Sequence, residues 1–262
     1  MTSRVEAALD AARAEGRAAL VAYLPAGYPT VSDSVEAIKA LIDNGADVVE
    51  LGIPYSDPVM DGPVIQRATL TSLTNGFRVA QVFDIIREVS AHSSVPIVVM
   101  TYWNPVVQYG VDRFAADLRA AGGAGMITPD LIPDEASEWI AAADRHDLDR
   151  IFLAAPSSTP ARTAQAVRAS RGFVYAVSTM GITGQRGDVD AAARSVVAKL
   201  REAGARYVCV GIGISTPEQV SDVATYADGA IVGSHLVSAL ESGGVAGVAD
   251  ATRRLVLGTR RP

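Results

Sequence analysis

Cysteine is almost absent: Cys209 stands alone, inside the apolar run Tyr207-Val208-Cys209-Val210. A single thiol forms no internal disulfide, and in such a run it reads as a buried core residue of a protein kept in a reducing cytoplasm. Histidine is scarce as well, with three residues. His92 and His146 have no partner at metal-ligand spacing, so no metal is expected. No apolar run is long enough to span a membrane, and the charged, alanine-rich segment Met1–Ala19 does not have the pattern of a signal peptide. Cations are in deficit, 23 Lys and Arg against 29 Asp and Glu for a net charge of −6. The basic pairs Arg253-Arg254 and Arg260-Arg261 are not a stripe interleaved with aromatics, which excludes a nucleic-acid surface. Nor is there a dinucleotide turn: Leu24-Pro25-Ala26-Gly27-Tyr28-Pro29 follows the first apolar run where GxGxxG would stand.

What the chain does have is apolar residues, 49% of 262, and a regular alternation. Strand-length apolar runs fall at Ala19–Leu24, Val48–Leu51, Pro96–Met100, Gly125–Ile127, Ile151–Ala154, Phe173–Val177, Tyr207–Val210 and Gly229–Val232. They are continuous rather than alternating, as parallel strands covered on both faces require. Segments of helical period lie between them: Val31–Asn44, Val79–Ser90, Pro133–Ala143, Thr159–Ala169, Ala191–Ala203 and Pro217–Ala224. Asn44-Gly45 and Gly204 mark ends, and Thr30 and Thr216-Pro217 mark starts. Eight strands, each followed by helix and undivided by any linker, predict a single (β/α)8 TIM barrel over residues 1–262. An open doubly wound sheet is the alternative, disfavoured by the missing glycine turn.

The stretch Val48 to Gln66, VVELGIPYSDPVMDGPVIQ, carries the chemistry. Its strand ends in Glu50, and the loop after it holds Gly52, Pro54, Pro58, Gly62 and Pro63 with two further acids, Asp57 and Asp61. Barrel enzymes place catalytic groups at the C-terminal ends of their strands. An acid there can also cap a helix or pair with a surface cation. Glu50 interrupts an apolar strand, however, and no Lys or Arg follows it in sequence until Arg67. A buried carboxylate without a partner has a raised pKa, which suits proton transfer near neutrality. With Asp61 it makes a pair able to divide acid, base and electrostatic roles. Asp57 reads as a turn residue or one facing a partner.

Glycines follow the last three strands, in Gly181-Ile182-Thr183-Gly184, in Gly211-Ile212-Gly213, and in Gly233-Ser234. Barrels often hold phosphate with such loops and the N-terminus of a short helix, because glycine admits close approach and unpaired N–H groups face the anion. His235, next in the chain, reads as a helix residue. Ser178–Asp190, with three glycines, has the composition of a lid or of an ordinary surface loop.

Assembled, these residues resemble the tryptophan synthase α subunit family over nearly the whole chain. The resemblance rests on Glu50-Leu51-Gly52-Ile53-Pro54-Tyr55-Ser56-Asp57-Pro58, Asp61-Gly62-Pro63, Met100-Thr101-Tyr102-Trp103-Asn104-Pro105, Pro129-Asp130-Leu131, Gly181-Ile182-Thr183-Gly184 and Gly211-Ile212-Gly213-Ile214-Ser215. It implies a barrel that cleaves indole-3-glycerol phosphate to indole and glyceraldehyde 3-phosphate without a cofactor of its own. It further implies Glu50 as general acid/base, Asp61 as acceptor for the indole N–H, and Thr183 as a lid residue engaging Asp61. Gly184, Gly213, Gly233 and Ser234 would hold phosphate, and Tyr23, Met100, Ile127, Tyr175 and Ile212 would line the ring slot. A β subunit using pyridoxal phosphate would complete an α2β2 heterotetramer, near Pro54, Asp57, Asn104 and Pro133. Two departures stand out: Tyr28 where the family commonly has an acid, and a Leu131-Ile132-Pro133 stretch one residue longer than in some relatives. A standalone lyase and a non-catalytic regulatory subunit are the competing expectations.

Overall fold

Strand follows helix along the whole chain in the computed structural model, which describes residues 3–177, 186–211 and 213–261, with backbone only for 186–190. The order is α1 (Arg4–Ala14), β1 (Ala19–Pro25), α2 (Val31–Asp43), β2 (Val48–Gly52), α3 (Pro63–Thr74), α4 (Gln81–His92), β3 (Ile97–Met100), α5 (Trp103–Tyr109), α6 (Val111–Ala121) and β4 (Gly125–Ile127). A single 3-10 turn (Pro133–Glu135) precedes α7 (Ser137–Arg145), β5 (Asp149–Ile151), β6 (Leu153–Ala154), α8 (Pro160–Ala169), β7 (Val174–Val177), α9 (Arg186–Glu202), β8 (Val208–Gly211), α10 (Pro217–Ala224), β9 (Gly229–Val232) and α11 (Ser234–Leu257).

All strand pairs within the sheet are parallel, in the order β5-β4-β3-β2-β1-β9-β8-β7-β6. The two ends of that list are consecutive halves of one extended segment. Asp149–Ile151 bonds to β4, Leu153–Ala154 bonds to β7, and the Phe152 carbonyl between them accepts from Tyr175 N–H at 3.0 Å. The sheet thus closes through this segment into an eight-stranded TIM barrel. Closure removes both edges that an open sheet would leave unpaired.

Side chains alternate across each strand. Ala19, Val21, Val48, Val98, Ile127, Ile151, Phe173, Cys209 and Ile231 fill the inside. Leu20, Ala22, Val49, Leu51, Ile97, Val99, Val208 and Val210 pack outward against the helices. This two-sided burial is why the strands read as unbroken apolar runs. The buried Val5, Leu9 and Ala12 of α1 join the inner cluster and close the N-terminal end of the barrel. The Ser3 hydroxyl caps α1 by accepting from Glu6 N–H and donates to Asp149 at 2.6 Å, which ties the helix to the start of β5.

Several helices depart from the sequence expectation. α3 starts at Pro63, inside what reads as loop, because proline at a first helical position needs no N–H acceptor. α9 begins at Arg186, so the expected Ser178–Asp190 loop is helical over its last five residues. α1, α5 and α6 have no counterpart in the sequence reading. Pro133–Ala143 divides into the 3-10 turn and α7. Thr30 caps α2, and Thr216 with Gln219 forms a reciprocal capping box on α10.

Candidate active site

Glu50 stands in β2 opposite Tyr23 of β1 and Val98 of β3, and shares its parity with the inward Val48. It therefore points into the barrel, where it is 1% exposed. Its Oε2 has no hydrogen-bond partner among the described residues. Burial, reinforced by the charge of Asp61, pushes its pKa up to about 8. The carboxyl is thus held protonated at neutral pH.

Asp61 lies in the loop between β2 and α3, half-buried, and burial raises it to about 6. The loop is pinned by its own backbone and by α3: Asp61 N–H donates to the Pro58 carbonyl at 3.2 Å, and Gln66 Nε2 donates to the Asp61 carbonyl at 2.8 Å. A third tie comes from the next strand's loop, where the Tyr102 hydroxyl accepts from Met60 N–H at 2.9 Å. Burial is the main cause of Tyr102's rise to about 12. Tyr23 and Tyr175 are also raised, first by burial and then by the nearby carboxylates, so three neutral phenols surround the two acids.

Apolar side chains pack in the barrel interior that holds Glu50. Met100, Leu153 and Tyr175 pack against the inner cluster that contains Ile127, and Tyr23 is buried. Space for the tyrosines comes from glycines at neighbouring strand ends. A Cβ on Gly52 would strike the Tyr23 hydroxyl, and one on Gly211 would strike that of Tyr175. Leu153, beside Tyr175 in the sheet, and Tyr102, tied to the loop of Asp61, are neighbours of the expected site to which the sequence assigns no role. An apolar residue and a loop tyrosine carry no chemical signal until the inward parity of each strand is known.

Gly233 is the N-cap of α11 and makes no side-chain cap bond, so the N–H groups from Ser234 onward start the helix without a side-chain acceptor. Gly213, just after β8, has φ +74, a conformation that favours glycine. Gly213 follows β8 and Gly233 follows β9, the two strands after which an anion cradle is expected. His235 is half-buried, and burial followed by the charge of Arg254 lowers its pKa, so it adds no charge at neutral pH. Thr183, Gly184 and Ile212 lie outside the described residues. No cluster of His, Cys, Asp and Glu among the described residues could hold a metal ion.

The remaining expected positions sit in the segments that follow β2, β3 and β4, at the C-terminal ends of those strands. Pro54 is buried just after β2, Asp57 is exposed and accepts from Ser56 Oγ at 2.6 Å, and Pro133 opens the 3-10 turn. Asn104 is exposed and donates to the Tyr55 hydroxyl at 3.2 Å, while Tyr55 stacks on Tyr102 at 5.3 Å. Tyr28, where the family commonly has an acid, is packed into the core.

Residues 9–257 match the family model for the tryptophan synthase alpha chain. The tryptophan synthase alpha chain of Leifsonia xyli is 60% identical over 99% of this chain and 99% of its own length. That of Mycobacterium avium is 55% identical over 99% and 95%. Among solved structures, tryptophan synthase from Mycobacterium tuberculosis superposes with a TM-score of 0.94 at 51% identity over 100% of both chains. The alpha subunit from Legionella pneumophila does so with a TM-score of 0.90 at 29% identity over 98% of both.

Proposed function

The chain belongs to the tryptophan synthase alpha chain family, and from that premise we propose that Glu50 and Asp61 are the groups that carry its chemistry. The protein is the alpha subunit, a carbon–carbon lyase that cleaves indole-3-glycerol phosphate to indole and glyceraldehyde 3-phosphate in a retro-aldol step. The observation that carries the assignment is the buried carboxyl of Glu50, whose Oε2 has no hydrogen-bond partner among the described residues.

The bond joining indole C3 to the side chain breaks only after C3 is protonated. Glu50, neutral at pH 7, donates that proton and becomes a carboxylate. Asp61, ionised at the same pH, accepts the indole N–H and stabilises the ring cation. The Glu50 carboxylate then takes the proton of the neighbouring side-chain hydroxyl. As that carbon becomes a carbonyl, the C–C bond electrons return to the ring and indole leaves. General acid–base catalysis of this kind contributes on the order of 10²–10⁴-fold. Gly184, Gly213, Gly233 and Ser234 bind the phosphate, and Tyr23, Met100, Ile127, Tyr175 and Ile212, joined by Leu153, hold the ring. Binding remote from the reacting carbon orients the bond to be cleaved. Thr183 engages Asp61 when the site closes.

As an alpha chain the protein works with a beta-subunit partner. We place that partner at the barrel mouth against Pro54, Asp57, Asn104 and Pro133, in an α2β2 heterotetramer in the cytoplasm whose β subunit uses pyridoxal phosphate and receives the indole. The exposed Val59, Met60, Val107 and Ile132 on the neighbouring loops and α5 support this placement. We take residues 1–262 as one domain, since one closed sheet runs from β1 to β9.

An indole-release assay with and without the β partner tests both halves. Glu50→Gln is expected to fold and to lose nearly all turnover, and addition of the partner is expected to accelerate the unaltered chain. Wild-type turnover by Glu50→Gln would remove Glu50 from the mechanism.

A further inference from the structure

Three arginines from three separate segments meet at the end of the barrel opposite Glu50. Arg13 lies in the last turn of α1, Arg201 in the last turn of α9, and Arg261 beyond α11. With Thr225, Tyr226 and Asp228 they line a surface cavity of about 470 Å3. Asp228 immediately precedes β9, which fixes the cavity at the N-terminal end of the strands.

Asp228 is the only acid in that lining among the described residues, and its oxygens are already engaged. Oδ1 accepts from Arg13 at 2.8 Å, while Oδ2 accepts from Arg201 and from Val208 N–H. Arg261 stands 3.8 Å from Oδ1 and donates instead to the Ala227 carbonyl at 3.2 Å. The acids just outside are occupied too: Asp222 by Arg194, Glu6 by Arg206, and Asp10 by Arg206 and the Tyr207 hydroxyl. The cavity thus gathers three permanent positive charges around one negative charge, in a chain whose net charge is −6. Each guanidinium carries five N–H donors, and the three groups together make six hydrogen bonds among the described residues.

Like charges held together at a concave surface attract a counter-ion, and guanidinium forks match the oxygens of phosphate. The volume lies within the range of small-molecule sites. We propose that this cavity binds a small phosphate dianion, free or as a monoester, at a site separate from the reaction centre. It requires nothing of the cradle at Gly213, Gly233 and Ser234.

Equilibrium dialysis of labelled inorganic phosphate against the full chain at low ionic strength tests the proposal. Two phosphates per chain are expected. Ser234→Asp, which sets a carboxylate at the start of α11, removes one. Arg261→Gln weakens the other at least tenfold and leaves indole release unchanged. Arg13→Gln serves as a second variant, and melting curves establish that each is folded. Methyl phosphate competing as well as phosphate at the Arg261-dependent site identifies a monoester site; failure to compete identifies a site for the free anion. A single phosphate lost in Arg261→Gln but kept in Ser234→Asp supports the arginine site and counts against the cradle. A single phosphate abolished by Ser234→Asp, or full stoichiometry and affinity in both arginine variants, overturns the proposal.

Discussion

Glu50 makes the folded protein less stable at the pH where it is useful. An unburied glutamate titrates near 4.5, and here burial and the neighbouring Asp61 raise it to about 8. Below the ordinary value the group is protonated in both folded and unfolded chains and costs nothing. Between the two values the unfolded chain releases the proton and the folded chain keeps it, so stability declines with rising pH. Above the higher value the penalty is complete, on the order of a few kcal/mol. Glu50→Gln should therefore melt at a higher temperature than the unaltered protein at pH 8, and at the same temperature near pH 4, while its turnover falls by orders of magnitude. Melting scans at the two pH values, paired with indole release, check this; equal melting at pH 8 would show that Glu50 is not buried unpaired. The same pair sets the activity profile. Glu50 must begin protonated and Asp61 ionised, so kcat/KM should be bell-shaped, declining below about 6 and above about 8. A profile flat through the alkaline limb would deny Glu50 its donor role.

Elements matter through what their ends leave open. Gly211 ends β8 where the Tyr175 hydroxyl lies, and a methyl there collides with it. Gly211→Ala should push the Tyr175 ring into the slot, cost about 1–3 kcal/mol of stability, and raise KM more than it lowers kcat. Steady-state kinetics with a denaturant titration separate these effects. Tyr102 belongs to the loop after β3 yet holds the loop after β2. Tyr102→Phe deletes the acceptor for Met60 N–H, at about 1 kcal/mol, and should lower kcat several-fold with little change in KM, since Asp61 is then less firmly placed. Wild-type kcat in that variant would show that the other ties suffice. The strands themselves were readable because parallel strands buried on both faces leave unbroken apolar runs. Glu50 was readable because it breaks one. α1 was hidden because only Val5, Leu9 and Ala12 are buried, with the small Ala8 half-buried beside them, and the rest of the helix is polar or exposed. Leu153 and Tyr102 were hidden because a site wall looks like core until the inside of the barrel is known. Thr183, Gly184 and Ile212 fall outside the described residues.

At the scale of the molecule the two barrel ends do different work. α1 fills the N-terminal end, while Glu50 and Asp61 lie toward the C-terminal end. The segments after β2, β3 and β4 are apolar where a solitary enzyme would be polar: Val59 is 80% exposed, and Val107 and Ile132 are also uncovered. Burying one such side chain against a partner contributes about 1.5–3 kcal/mol, and setting a carboxylate there reverses the sign, since an unpaired charge resists desolvation. Ile132 lies in the loop after β4, next to Leu131 and two residues past Asp130, whose carboxylate accepts from Trp103 N–H at 2.9 Å. It belongs neither to the slot nor to the acid pair. Ile132→Asp should therefore leave the turnover of the isolated chain unchanged and shift the β-partner concentration needed for half-maximal activation upward by at least tenfold. Titrating the partner into a fixed amount of each chain, with indole or tryptophan formation as the readout, measures the shift. Coincident activation curves would move the contact away from these segments, and a variant with impaired turnover on its own would mean that the loop after β4 also supports the site.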